Sequence, residues 1–247
     1  MISWEKKIVT HASKIITINP AITEDIQKRH NLLPKEKFQT LIHGFDQAEY
    51  AGLVHHQQSK LTLVHTGNFF EPRQIPDYFL HALALLIKDN PEYINKIQVQ
   101  LVGSITSRHR RLIKDLQLEA IMQIIDSVSR PQSIQFQLNA DILLLFVGEG
   151  LGSQMVLPAK TWEYMVSGRP ILCMAPEGIT SETIQKYNAG IVVSPRDIES
   201  IKRGLEILIR QYNDNTLPIQ NISQYHQYNR KDITQQLAVI FNQCINK

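Results

Sequence analysis

Between residues 61 and 212, short runs of β-branched and apolar residues alternate with segments of helical period, six times over. Runs at 61–66, 97–102, 121–125, 142–147, 171–175 and 191–194 read as strands. Those at 76–88, 108–118, around 132–138, 160–167, 180–187 and 198–212 read as helices. Run 142–147 is apolar at every position, as a parallel strand buried on both faces must be. Strand–helix alternation at this spacing predicts an α/β fold, a doubly wound parallel sheet. Crossovers in such sheets are right-handed, and ligands bind outside the carboxyl ends of the strands, where strand order reverses. The loops that follow strands are therefore where function is expected.

The flanks differ. Residues 1–50 give helix, strand 14–18, a helix after Pro20, and strand 38–42, too little for a domain alone. Residues 51–60, with His55-His56-Gln57-Gln58, read as a polar linker, and 213–223 as a loop. Residues 224–247 hold an amphipathic helix with Ile233, Leu237, Ile240 and Phe241 on one face, whose partner is expected in the leading segment. The expected division is thus 1–50, linker 51–60, a sheet domain 61–223, and a terminal helix within 224–247.

Composition narrows the function classes. A chain of 247 residues, 43% hydrophobic and 20% charged, can bury a sizeable core. Its net charge of +3 is spread out, without the basic and aromatic stripe of a nucleic-acid binder. Arg108-His109-Arg110-Arg111 reads as a solvated helix face. The two cysteines, Cys173 and Cys244, have no metal-ligand spacing and fit a reduced, cytoplasmic protein. Apolar runs are too short to span a bilayer, which leaves peripheral contact at the inner membrane face open. There is no Gly-x-Ser-x-Gly elbow and no P-loop. His65, at the end of the first strand, reads as a half-buried, satisfied histidine.

Two loops carry the chemistry. Gly67-Asn68-Phe69-Phe70-Glu71-Pro72-Arg73 follows the first strand. A glycine there admits a phosphate to the backbone, and Arg73 could add a bidentate contact; the alternative is a turn and a surface charge. After the 142–147 run comes Gly148-Glu149-Gly150-Leu151-Gly152, not a dinucleotide fingerprint but open to an anion. Leu157, Pro158 and Ala159 then begin a helix whose free N–H groups suit phosphate oxygens. Glu163 can accept two hydroxyls of a ribose 2′,3′-diol, or else complement the helix dipole.

The run Leu157-Pro158-Ala159-Lys160-Thr161-Trp162-Glu163-Tyr164-Met165-Val166-Ser167-Gly168-Arg169-Pro170 resembles the signature of GT-B glycosyltransferases of the family-four, or group 1, kind. Gly67 and Arg73 match in register, as does Ala189-Gly190-Ile191-Val192-Val193. Leu41-Ile42-His43-Gly44-Phe45-Asp46 is similar to the joint between the two GT-B domains, with His43 for asparagine. The resemblance implies a nucleotide-diphosphate sugar as donor, a saccharide or lipid-linked acceptor, and metal-independent transfer with no cofactor. The sequence has no Asp-x-Asp. It implies Arg73 and Lys160 on the diphosphate, Gly67 and Asn68 admitting it, and Glu163 on the ribose. Arg130, in Val128-Ser129-Arg130, would frame the base, and Leu157, Pro158 and Ala159 would line the wall.

Two departures stand out. The family often carries a glutamate eight positions before the ribose-binding one, where this chain has Met155. Residues 1–50 resemble only the end of the acceptor-side domain, which implies a missing N-terminal domain or a partner chain. A non-catalytic subunit and a GT-B nucleotide-sugar epimerase are the alternative readings.

Overall fold

The computed structural model of the protein describes residues 2–69, 71 and 74–245. Backbone contacts divide the chain into two units, Met1–Gln47 with Ser223–Lys247, and Ala48–Ile222.

In the first unit, α1 (Ile2–His11), β1 (Ile15–Thr17), α2 (Pro20–Arg29) and β2 (Phe38–Thr40) follow in order. The strands pair in parallel, Ile15 opposite Phe38. The Asn19 side chain accepts the Ile22 N–H at 3.0 Å, and Pro20 fills the first helical position, so α2 starts where its sequence says it should. Both strands are three residues long, shorter than the sequence pattern suggests. Past their ends the Leu41 N–H still donates to the Thr17 carbonyl at 2.8 Å, while the Thr17 and Thr23 hydroxyls donate to the Asn19 carbonyl and Thr23 bonds to Thr40. The C-terminal helix (Arg230–Ile245) belongs to this unit. Phe45, 1% exposed, ties its start: the Phe45 N–H donates to the Tyr228 carbonyl, and the Arg230 N–H to the Phe45 carbonyl at 2.8 Å.

The second unit opens with β3 (Leu61–Thr66), α3 (Asp77–Asp89), α4 (Tyr93–Lys96), β4 (Ile97–Val102), α5 (Ser107–Asp115), β5 (Met122–Ile125) and α6 (Arg130–Asn139). Then come β6 (Ile142–Phe146), α7 (Ala159–Val166), β7 (Ile171–Met174), α8 (Ile179–Lys186), β8 (Gly190–Val193) and α9 (Ile198–Asn213). All six strands are parallel, in the order β5-β4-β3-β6-β7-β8. This is the doubly wound α/β sheet of the sequence reading. The chain builds outward from β3 to β5, then returns to add β6 on the other side of β3. The reversal places the crevice between the ends of β3 and β6.

The core follows from the apolar runs. Leu63, Val99, Leu101, Ile142, Leu144 and Leu172 are at most 1% exposed, and α3 packs beside α9 and α5 over one face. All five residues of β6 are buried, as its unbroken apolar run requires. The sequence reading missed α4, a single turn begun by Pro91, and the 3-10 turns Lys35–Lys37, Gln47–Tyr50, Ser153–Met155 and Ile222–Tyr228, the last running from the loop 213–223 into the segment assigned to the terminal helix. The solvated face at 108–111 is corrected: Arg108, Arg110 and Arg111 are exposed, but His109 is fully buried. A helix face of four consecutive residues spans the whole circumference, so one of them must point inward. Among the described residues no helix is long and apolar enough to cross a membrane.

Candidate active site

Thr66 ends β3, and β6 leaves the ladder beside it: the β3–β6 register covers Leu63 and Val64 alone. The backbone of Thr66 therefore needs other partners. Helix α7 supplies them. The Tyr164 hydroxyl accepts the Thr66 N–H at 2.9 Å, and Lys160 Nζ donates to the Thr66 carbonyl at 2.7 Å. Gln137 of α6 adds a 3.1 Å bond from Nε2 to Thr66 Oγ1. Tyr164 is fully buried, and burial pushes its hydroxyl up to about 12, so it stays protonated. Tyr164→Phe leaves a buried N–H unpaired and is expected to cost about 1–3 kcal/mol. A lower urea midpoint at unchanged slope is the signature; an unchanged midpoint would show that Thr66 has another acceptor.

The same bonds set the position of Lys160. Its ammonium lies against Gly67, where a β-carbon would sit 2.3 Å from Nζ. Gly67 also has φ +123, a backbone conformation that side chains rarely adopt. Burial lowers Lys160 to about 8, with Glu163 opposing the shift. Asn68 is exposed, and its side-chain oxygen accepts the Ser104 N–H at 2.8 Å, fixing the loop after β3 to the loop after β4. Gly103 makes that approach possible: a β-carbon there would meet the Gly67 carbonyl at 2.5 Å.

Helix α7 starts at Pro158 and Ala159, and its N-cap has no side-chain hydrogen bond. The Thr161 N–H donates to the Pro158 carbonyl at 2.9 Å, which leaves the N–H groups of Ala159 and Lys160 without a side-chain acceptor among the described residues. Leu157 is buried just before them. Glu163 is the fifth residue of α7, past the first turn, so complementing the helix dipole is not its task. It is 7% exposed, and its Oε2 pairs with Arg130 Nη1 at 3.0 Å. Arg130 is held in turn by both oxygens of Glu49, at 3.0 and 2.7 Å. Glu49 first, and Glu163 second, raise the guanidinium well above its ordinary range. Glu163 Oε1 has no partner among the described residues and remains open to a hydroxyl.

Gly67, Asn68, Leu157, Pro158, Ala159, Lys160, Glu163 and Arg130 thus lie on elements that converge at the strand-order switch. Arg73 lies outside the described residues. Among the described residues no cluster of three or more His, Cys, Asp or Glu is arranged to hold a metal ion.

The sequence pattern of the family described as Glycosyl transferases group 1 matches residues 60–211, most of the chain. The chain belongs to the group 1 glycosyltransferases. Solved structures agree in fold. S. aureus TarM, solved as a mutant with Fondaparinux, alpha-GlcNAc-glycerol and UDP, matches 97% of this chain at 17% identity, TM-score 0.65. Pneumococcal O-GlcNAc transferase GtfA, with UDP and GlcNAc, matches 99% at 14% identity, TM-score 0.69. Anabaena HepE, with UDP-glucose, matches 98% at 16% identity, TM-score 0.71. The matches cover 46%, 48% and 68% of those chains, so this chain spans about half the length of the first two. No curated protein matches it by sequence.

Three features of this group 1 glycosyltransferase domain escaped sequence reasoning. Glu49, assigned to the N-terminal segment, pairs across 81 positions with Arg130; nothing local announces such a pair. His65 is fully buried rather than half-buried, stacks on Phe69 at 4.7 Å and donates from Nδ1 to the Leu144 carbonyl, while its Nε2 has no partner. Burial lowers it to about 3, so it is neutral. His109 sits 3.2 and 3.3 Å from Glu71 and Asp77, off the axis of its Nε2–H, and burial lowers it while the carboxylates oppose.

Proposed function

We propose that this chain binds a nucleotide-diphosphate sugar and takes part in transferring its glycosyl group to a saccharide or lipid-linked acceptor. One observation carries the reading: Lys160, Gly67 and the uncapped N-terminus of α7 meet at the strand-order switch, next to a carboxylate with one open oxygen. An ammonium and free N–H groups suit a diphosphate, and Glu163 Oε1 suits a ribose hydroxyl. Family membership supports the same reading, as does the presence of UDP or UDP-glucose in the TarM, GtfA and HepE structures.

In this reading the transfer is metal-independent. As the glycosidic bond breaks, charge builds on the leaving diphosphate, and Lys160, the α7 N–H groups and Arg73 stabilise it more strongly than in the ground state. Arg130 has two carboxylates and orients Glu163; whether it also frames the base is part of the proposal. Residues 1–50 and 224–247 belong, in this proposal, to an acceptor-side domain completed by further residues or by a partner chain, at work in the cytoplasm or against the inner membrane face.

Calorimetric titration with UDP, GDP, ADP and UDP-glucose tests the reading. One nucleotide series should bind, and Glu163→Ala should weaken it about 10- to 150-fold, the worth of a charge-assisted hydrogen bond of about 1.5–3 kcal/mol. A folded protein that binds none of the four overturns the proposal. Undiminished binding by Glu163→Ala removes Glu163 from the site.

A further inference from the structure

Arg130 is the first residue of α6, where a cation opposes the helix dipole, so the helix is not what places it there. Its backbone is pinned by the cap beside it: the Ser129 N–H donates to Gln132 Oε1 at 3.0 Å. The side chain runs to two carboxylates. Nε and Nη2 donate to the two oxygens of Glu49, at 3.0 and 2.7 Å, and Nη1 reaches Glu163 Oε2 at 3.0 Å. Glu49 stands in the 3-10 turn Gln47–Tyr50, outside residues 60–211, the stretch that the family pattern covers. The next residue of that turn reaches the same target: the Tyr50 hydroxyl donates to the Glu163 carbonyl at 3.3 Å. One turn therefore holds Glu163 at its backbone and, through Arg130, at its side chain.

A guanidinium can take both oxygens of one carboxylate through Nη1 and Nη2 together. Here Nη2 is committed to Glu49, so Glu163 receives a single bond and keeps Oε1 open. Without Glu49 the fork is free to close on both oxygens of Glu163, since a bidentate charge-assisted pair is stronger than a single bond. The carboxylate would then be fully engaged by Arg130 and closed to a ligand. We propose that Glu49 is a positioning residue for the nucleotide site: it draws Arg130 aside, so that Glu163 stays oriented yet keeps one oxygen for a ribose hydroxyl. The inference rests on the reading of Glu163 as the ribose contact. It adds a residue that acts on the nucleotide only through Arg130.

The preference for a ribose hydroxyl tests it. Whichever of UDP, GDP and ADP binds is titrated beside its 2′-deoxy and 3′-deoxy forms. The parent chain should prefer the intact ribose about tenfold or more over at least one deoxy form. Glu49→Ala should lose most of that preference. The ratio is the readout because a lost charge or a loosened turn acts alike on both forms. Glu49→Gln keeps the bulk of the side chain and one acceptor, and should show a smaller loss in the same direction. In an Arg130→Ala background, Glu49→Ala should change the ratio no further. A crystal structure of the Glu49→Ala chain needs no nucleotide, and should show Arg130 on both oxygens of Glu163. Any of three results overturns the proposal: Glu49→Ala keeping the parent ratio, its effect on the ratio undiminished once Arg130 is gone, or Arg130 still meeting Glu163 through Nη1 alone in the Glu49→Ala structure. A parent chain that binds a nucleotide without discriminating either deoxy form removes Glu163 from the ribose, and this proposal with it. A parent chain that binds none of the three removes the nucleotide reading first and this one with it.

Discussion

Replacing Lys160 with alanine is expected to weaken UDP binding by about 30- to 1,000-fold, the loss of about 2–4 kcal/mol that follows removal of one preorganised anion-stabilising group. The pH dependence should be as telling as the magnitude. Burial holds the free ammonium at about 8, below its ordinary value. A diphosphate beside it favours the charged form, so the bound state has the higher value. The sign follows: below about pH 7 Lys160 is charged in both states and adds no pH dependence of its own. Above pH 8 the free protein has lost the proton that the complex keeps, and affinity falls by up to tenfold per pH unit. The second phosphate ionisation, near 6, is complete by then and does not contribute. At pH 8, binding should take up about half a proton, measured by calorimetry in buffers of different ionisation enthalpy. Lys160→Arg retains a cation at every pH and should abolish the decline even if it binds less well. An affinity that is constant from pH 7 to 10 in the parent chain would remove Lys160 from the diphosphate contact.

The sheet was legible because its signals are local and redundant. Strand 97–102 and the terminal helix 230–245 appear with the bounds their periodicity suggests, α3 and α7 shift by one residue at both ends, and α9 by one at its C-terminal end. The placement of Gly67 and Lys160 was legible too, since a glycine after the first strand and a lysine at a helix start both have mechanical reasons to be there. The geometry between them was not. No sequence rule says that β6 abandons the ladder at Val64, and so none says that Lys160 and Tyr164 must reach across 94 and 98 residues to satisfy Thr66. Arg130 was picked as a group that frames a base and is found in ion pairs with Glu49 and Glu163. Its partners come from 81 positions earlier and 33 later, a pairing decided by tertiary structure alone. Buried histidines illustrate the same limit. His65 and His109 have neighbours in sequence that suit either surface or core, and only the packing of Phe69 between them settles the matter.

Gly67→Ala should reproduce the Lys160 defect from the other side of the contact. The added methyl would sit 2.3 Å from Nζ, so the ammonium must leave the Thr66 carbonyl. The backbone at φ +123 adds strain of about 1–3 kcal/mol, which shows as a lower urea midpoint. The binding defect is separable from that strain by a double-mutant cycle. If both substitutions act on one ammonium, UDP binding is lost once: Gly67→Ala in a Lys160→Ala background should cost little further affinity, while its stability cost persists in full. Gly103→Ala supplies the contrast. Its methyl meets the Gly67 carbonyl at 2.5 Å and not Lys160, so it displaces the loop while leaving the ammonium in place, and its binding cost should add to that of Lys160→Ala. Additive losses for Gly67 and Lys160 as well would mean that the glycine admits the diphosphate by its own backbone, independently of the lysine beside it.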